Sequence, residues 1–131
     1  MEKIQEIVGD RGVVHPGHPP IVGSPLIAAG HTYQAGTLLK AAADGYVAAR
    51  DAVTGEGAAP ADQADCVLIQ DTDTTDGAKP GLCLHHGMVV LARLLNSFGS
   101  GDPVPAGDAM IATLVNRGIY AVQDFDYSVM A

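Results

Sequence analysis

The first 25 residues are rich in residues that break regular backbone structure. Four glycines and four prolines fall in this stretch, namely Gly9, Gly12, Pro16, Gly17, Pro19, Pro20, Gly23 and Pro25. Proline fixes φ and has no backbone N–H, so this spacing excludes a long helix or a central strand. Two β-branched pairs remain between the breakers, Val13-Val14 and Ile21-Val22. We therefore predict an extended N-terminal arm, residues 1–25, with strand-forming patches.

From Leu26 onward the sequence changes to short apolar runs that are bounded by Gly, Asp or Pro, a pattern typical of strands. These runs cover residues 26–28, 37–40, 46–49, 66–70 and 82–85. The dipeptide Asp44-Gly45 lies between two of the runs and favours a tight hairpin turn with positive φ. The sequence therefore predicts that the strands around Leu38 and Val47 pair with each other.

One helix is predicted near the C-terminus. Asp108 can cap it and Arg117-Gly118 can end it, with an apolar face made of Met110, Ile111, Leu114 and Val115. A strand over 119–122 follows, and residues 89–95 fit either a helix or a strand. Together these patterns predict a mainly β fold with one or two short helices (α+β), in which the arm 1–25 precedes a compact β-rich domain, 26–131.

Composition excludes several classes of function. The 131 residues carry 7 Lys+Arg against 15 Asp+Glu, a net charge of −8, which argues against direct binding to nucleic acid. Aromatic residues make up 5% with no Trp, too few for a stacking platform. No apolar run reaches the roughly 18 residues that span a bilayer, so no membrane association is expected. Only 17% of residues are charged, which favours burial of surface between subunits.

The acidic stretch 71–77 is the strongest candidate for a metal site. Its alternating oxygen side chains begin like a calcium-binding loop. Gly77, however, falls one position late for that loop, and Leu82 stands where a bidentate Glu is needed. We therefore predict a solvated turn between the strands that end at Gln70 and begin at Leu82.

The histidines and the possible nucleophiles give no complete site. Pro16 and Gly17 prevent His15 and His18 from sharing a helical face, and adjacent strand residues such as His85-His86 point to opposite faces. No serine lies in a Gly-x-Ser-x-Gly elbow, and residues 29–36 lack phosphate-loop spacing and are predicted to form a turn into a strand. We expect no metal, no cofactor and no enzymatic activity.

Cys66 and Cys83 both lie inside apolar stretches, and a chain of this length can form a core without disulfides. We predict that both are reduced thiols in the core.

Several short motifs occur in a characteristic order. The first three are an apolar strand ending in Gly, a polar turn into Gly-Thr-Leu-Leu and a hairpin ending in Tyr-Val, at residues 25–30, 33–39 and 45–48. Three more follow later in the chain, at residues 67–69, 86–89 and 117–120. In this order the chain resembles the head decoration proteins of lambda-like tailed bacteriophages, over about residues 25–122.

The resemblance implies a protein that forms a homotrimer on the outer face of the virion's expanded head and stabilises the shell, after assembly in the host cytoplasm. In that family an N-terminal arm becomes ordered on the major capsid protein and adds a strand to it. The arm 1–25 occupies that place here, so the candidate capsid-binding residues are Val13, Val14, Ile21 and Val22. The many prolines of the arm and the acidic loop 51–65 depart from the family pattern.

Two alternatives remain open. One is a small trimeric β-rich binding module or enzyme with a site between subunits, and the other is a different phage part such as a head fibre or tail component. A neighbouring gene for a major capsid protein would favour the decoration protein, whereas a defined small ligand that copurifies with the chain would favour the binding module.

Overall fold

A computed structural model describes residues 12–15, 19–99 and 102–123, and these form a mainly β domain with one short α-helix. The predicted fold class is therefore confirmed. The strands are β1 (Val14–His15), β2 (Ile21–Gly23), β3 (Leu26–Ile27), β4 (Thr32–Tyr33), β5 (Leu38–Lys40), β6 (Val47–Ala48), β7 (Cys66–Leu68), β8 (Thr72–Asp73), β9 (Lys79–Pro80), β10 (Cys83–Val90), β11 (Leu95–Asn96), β12 (Val104–Pro105) and β13 (Ile119–Val122).

Strand β10 organises the main sheet, whose order is β1-β10-β7-β5-β6, with β2 and β13 also paired to β10. The first part of β10 pairs antiparallel with β2 and β7, and the second part pairs antiparallel with β1 and parallel with β13. Gly87, at φ 139°, lies where the partners change. A Cβ at Gly87 would lie 3.3 Å from the Cα of Pro20, so the preceding chain passes close to this glycine and would have to shift by a few tenths of an ångström to fit a side chain.

The predicted hairpin is confirmed. β5 and β6 pair antiparallel, with Leu39 opposite Ala48 and Lys40 opposite Val47. Gly45 in the turn has φ 125°, and a Cβ there would lie 2.8 Å from the backbone nitrogen of Ala28. The turn therefore needs glycine both for its conformation and for the close approach of the neighbouring chain.

The acidic stretch 71–77 is more ordered than the predicted solvated turn. Its β8 strand pairs antiparallel with β4, and the neighbouring β9 pairs with β3. Thr74 is buried, and its hydroxyl donates to the backbone oxygens of Ala28 at 2.6 Å and of His31 at 3.1 Å. A short polar side chain that bonds neighbouring backbone can fix such a turn, which the charge pattern alone did not indicate.

The C-terminal helix, α1 (Asp108–Thr113), is confirmed, and a 3-10 turn (Leu114–Arg117) continues it. Met110 and Leu114 are buried as predicted. Two details differ. The N-cap residue is Gly107 rather than Asp108, and Val115 is 55% exposed. The tighter 3-10 turn rotates residues away from the positions that a continuous α-helix gives, so Val115 leaves the apolar face.

The core consists of two clusters of buried apolar side chains. The larger lies around β1, the second part of β10, α1 and β13, and the smaller around β3, β5, β7 and the start of β10. Val13 and Val14 belong to the larger cluster. These two residues of the predicted arm therefore pack in the core of the domain, whereas Ile21 and Val22 lie at its surface, and the boundary at residue 25 stays a prediction. Residues 1–11 and 16–18 of the arm lie outside the described residues.

Candidate functional site

The four residues predicted to bind a partner fall into two pairs. Val13 and Val14 are 0% and 3% exposed, and the backbone oxygen of Val13 accepts a 2.7 Å hydrogen bond from the Val90 N–H. Their side chains contact this chain's own core and offer no surface to a partner in this conformation. Ile21 and Val22 are 61% and 39% exposed. Of the four, only Ile21 and Val22 are placed to contact another molecule.

Strand β2 forms an exposed apolar edge of the sheet. Val22 lies opposite Leu84 and Ile21 opposite His86 on β10, with a register shift between these two pairs. Within the described residues no strand pairs with the other side of β2. Such an edge presents unpaired main-chain groups together with apolar side chains, which is the arrangement that accepts an added strand. We call residues Ile21–Gly23 the β2 edge.

A second surface feature is an open groove of about 730 Å³, lined by the rings of His31, Tyr33 and Phe98 and by Lys40. Small side chains of β6, including Ala48, complete its wall. We call this feature the aromatic groove. The rings come from two distant parts of the chain, the β4 region and the segment after β11.

Hydrogen bonds fix the His31–Tyr33 part of the groove. The Tyr33 hydroxyl accepts a 3.1 Å hydrogen bond from the Ala48 N–H, and burial raises the pKa of Tyr33, so the phenol stays neutral at physiological pH. The His31 ring stacks on Tyr33 with centroids 5.0 Å apart and planes 10° apart. The backbone of His31 donates to the Thr74 hydroxyl at 3.1 Å and accepts from the Thr74 N–H at 2.7 Å. Tyr33 is itself only 6% exposed, so its buried ring holds the His31 ring in a fixed orientation at the groove.

The cationic groups near the groove are held by Asp62 and Phe98. The Lys40 ammonium lies 3.0 Å from the Asp62 carboxylate, and the Arg50 guanidinium lies 5.9 Å from the centre of the Phe98 ring. Burial acts to raise the pKa of Asp62, but hydrogen bonds from the Arg50 N–H and the Lys40 ammonium outweigh it and hold that pKa below its usual value. Asp62 therefore stays ionised and keeps Lys40 beside the groove.

Sequence reasoning missed the aromatic groove. It predicted only a turn into a strand at residues 29–36. The available signal was His31 and Tyr33 two residues apart, a spacing that places both rings on one face of a short strand. Nothing in the sequence indicated that Phe98, 65 positions after Tyr33, would join them.

Both cysteines are free and buried, as predicted. A hydrogen bond with Cys83 and burial raise the pKa of the Cys66 thiol well above its usual value. A thiol with a raised pKa is a poor nucleophile, because the thiolate is the reactive form. This pair therefore contributes to packing rather than to chemistry at the surface.

Among the described residues, no group of three or more His, Cys, Asp or Glu side chains is arranged to hold a metal ion. The described helices are all too short or too polar to cross a membrane. No family model, curated protein or solved structure matches the chain.

Proposed function

We propose that this chain is a structural virion protein that binds the outer surface of a phage head as a homotrimer and stabilises the capsid shell. The order of sequence motifs between residues 25 and 122, which resembles head decoration proteins, supports this function. The β2 edge is the structural observation that carries it, because it offers an apolar strand for pairing with the major capsid protein.

Attachment through the β2 edge needs little specific chemistry. Each main-chain hydrogen bond that forms with the capsid protein contributes about 0.5–1.5 kcal/mol, and burial of Ile21 and Val22 adds to this. A trimer presents three such edges, so binding of one raises the effective concentration of the other two. The proposed partners are therefore the major capsid protein and two further copies of this chain. The net charge of −8 disfavours contact with the packaged nucleic acid.

The proposal is tested by mixing purified protein with undecorated expanded heads and counting occupied sites by electron microscopy. Ile21→Lys places a charge on the β2 edge, and we expect it to lower occupancy strongly at a concentration that saturates the wild type. Val115→Lys is the matched control, since Val115 is 55% exposed on the 3-10 turn that follows α1. We expect Val115→Lys to bind like the wild type.

Each outcome of this experiment has a distinct meaning. Absence of wild-type protein from the heads would overturn the proposed function. Equal occupancy by Ile21→Lys and wild type would keep the function and place the attachment surface elsewhere on the domain. Melting curves of both variants check that the substitutions leave the fold intact.

The aromatic groove favours a second candidate, a β-rich module that binds a small ligand, although this groove lies within one chain and not between subunits as the sequence-based alternative has it. The His31 ring, which is backed by Tyr33, together with the exposed Phe98 ring and Lys40 suits a planar ligand with an anionic group. Mass spectrometry of the purified protein under non-denaturing conditions tests this candidate. A stoichiometric small molecule that is lost from a Phe98→Ala variant would favour the binding module over the virion protein.

A further inference from the structure

We propose that each copy of this chain docks its 3-10 turn Leu91–Arg93 into an alanine-lined hollow of the next copy, so that three copies close a ring. The hollow has a volume of about 620 Å³ and lies beside the turn between β5 and β6. We call these two surfaces the 91–93 turn and the alanine hollow. Their contact supplies the interface of the homotrimer in the proposed function, on which this inference rests.

The 91–93 turn carries an apolar side chain next to a positive charge. Its three residues are all exposed, and they include Leu91, which is 39% exposed. Among the described residues, Arg93 has no ion-pair partner. A complementary surface must therefore offer an apolar hollow for the leucine and a carboxylate for the guanidinium.

The alanine hollow has both of these properties. Small apolar side chains form most of its wall, namely Ala28, Ala29, Ala42, Ala43, Val47 and Ala78. Asp44 is the one carboxylate among the described residues that line it, and this side chain is exposed. Like Arg93, it has no ion-pair partner in the described part of the chain. The short alanine side chains leave room for Leu91 of another copy, while Asp44 pairs with Arg93 of that copy.

The two surfaces lie at opposite ends of β5, so they cannot meet within one molecule. Thr37, just before β5, forms a parallel bridge with Leu95, which places Arg93 beyond the start of the strand. The alanine hollow surrounds the turn that follows Lys40, at the other end of the strand. From Thr37 to Lys40 the strand alone rises about 10 Å, and both surfaces lie beyond these limits. Arg93 can therefore pair with Asp44 only in another copy.

A contact between two different surfaces joins copies head to tail, and it closes into a trimer when each copy is rotated by one third of a turn. Every copy then uses its 91–93 turn once and its alanine hollow once, and the ring contains three identical ion pairs. Neither surface includes a residue of the β2 edge. The ring therefore leaves the three β2 edges to the major capsid protein.

Exchange of the two charges tests this contact in the full-length protein, with sedimentation equilibrium as the measurement. We expect the wild type to be a trimer. Arg93→Asp and Asp44→Arg each place like charges at all three contacts, so each should raise the concentration of half-assembly by about tenfold or more. The double variant restores opposite charges and should recover assembly. The second reversal does not repair a folding defect caused by the first, so recovery identifies the ion pair.

A matched control separates this ion pair from a general effect of charge. Glu56→Arg makes the same change of charge as Asp44→Arg, at an exposed carboxylate that does not line the alanine hollow. We expect Glu56→Arg to assemble like the wild type. Leu91→Ser tests the apolar part of the contact and should weaken assembly without changing any charge. Melting curves of all variants check that the monomer is folded.

Three results would overturn the inference: a wild type that stays monomeric at every concentration, single variants that assemble like the wild type, or a double variant that does not recover. Binding to expanded heads separates this inference from the proposed function. Wild-type trimers that bind heads, with single variants that also stay trimeric, would overturn the contact and keep the function. Trimers that depend on the ion pair but do not bind heads would overturn the function and keep the contact.

Discussion

Strands β1 and β2 pair antiparallel with the same strand, yet one is buried and the other is exposed. Each includes part or all of a β-branched pair that lies between Gly and Pro breakers, and in sequence the two segments look alike. Val13 and Val14 nevertheless lie in the core, whereas Ile21 and Val22 lie at the surface. The sequence of such a segment indicates that it is extended but not whether other parts of the chain cover it.

The difference between the two strands arises from where each lies along β10. β1 pairs at Val89 and Met88, in the part of β10 that packs with β13 and the C-terminal helix. β2 pairs at the start of β10, at the border of the sheet, and among the described residues no element packs over Ile21. Contacts with distant parts of the chain, rather than local propensity, therefore bury β1, so that it stabilises the fold. They leave β2 exposed and available for binding.

Deletion of residues 1–20 is the strongest test of this contrast. It removes two fully buried valines and the β1 ladder, and burial of each valine contributes about 1.5–3 kcal/mol. We expect the free energy of unfolding to fall by about 3–6 kcal/mol, a large part of the 5–15 kcal/mol typical of a domain. Urea denaturation followed by circular dichroism measures this. A truncated protein with wild-type stability would show that β1 is a dispensable arm after all.

Single alanine substitutions compare the strands within the full chain. Val13→Ala removes two buried carbon groups and leaves a cavity, so we expect a loss of about 2 kcal/mol in unfolding free energy. Ile21→Ala removes atoms that are mostly in water, and a loss of about 0.5 kcal/mol or less is expected. Equal losses for the two variants in urea titrations would contradict the assignment of β1 to the core and β2 to the surface.

The elements that sequence predicted correctly depend on local signals. Asp44-Gly45 favours a hairpin turn, and the apolar spacing from Met110 to Leu114 favours a helix, whatever the rest of the chain does. The burial of Cys66 and Cys83 likewise follows from the apolar runs that contain them. Propensity and spacing along the chain were sufficient for these parts of the fold.

The features that sequence did not predict depend on contacts between distant residues. β10 pairs with four strands, three from the ends of the chain and one from its middle, and the aromatic groove brings Phe98 close to His31 and Tyr33. Of the candidate site, only the extended form of Ile21-Val22 followed from the sequence. The burial of Val13-Val14 did not, because it requires knowledge of which strand each pair meets.

The exchange of partners along β10 can be perturbed at Gly87. Alanine there must adopt φ 139°, and its Cβ would lie 3.3 Å from the backbone of Pro20, just before β2. We expect Gly87→Ala to cost about 1–3 kcal/mol. Gly77→Ala is the control, since Gly77 has a similar φ of 153° but no atom within 4 Å of the added Cβ. If both variants lose the same stability in urea titrations, the close passage of Pro20 does not constrain the junction between β1 and β2.

The smallest expected effect is at Gly23, the last residue of β2. Its φ is not in the left-handed region, so alanine fits the backbone and reduces the conformational entropy of the unfolded chain. An added Cβ would, however, lie 3.1 Å from two atoms of the half-buried His85 ring, which must move by a few tenths of an ångström. We expect these effects nearly to cancel, with a change in unfolding free energy within about 0.5 kcal/mol.

A double-mutant cycle separates the two contributions at Gly23. In a His85→Ala background the contact with the ring is absent, and Gly23→Ala should stabilise the protein by about 0.4–1 kcal/mol. If Gly23→Ala raises the free energy of unfolding equally in both backgrounds, the His85 ring moves aside without cost and does not fix the position of β2. A coupling between the two substitutions would instead show that β2, although exposed, is held in register by the ring that packs against it. The β2 edge would then be a preformed strand, and an incoming partner would not have to order it on binding.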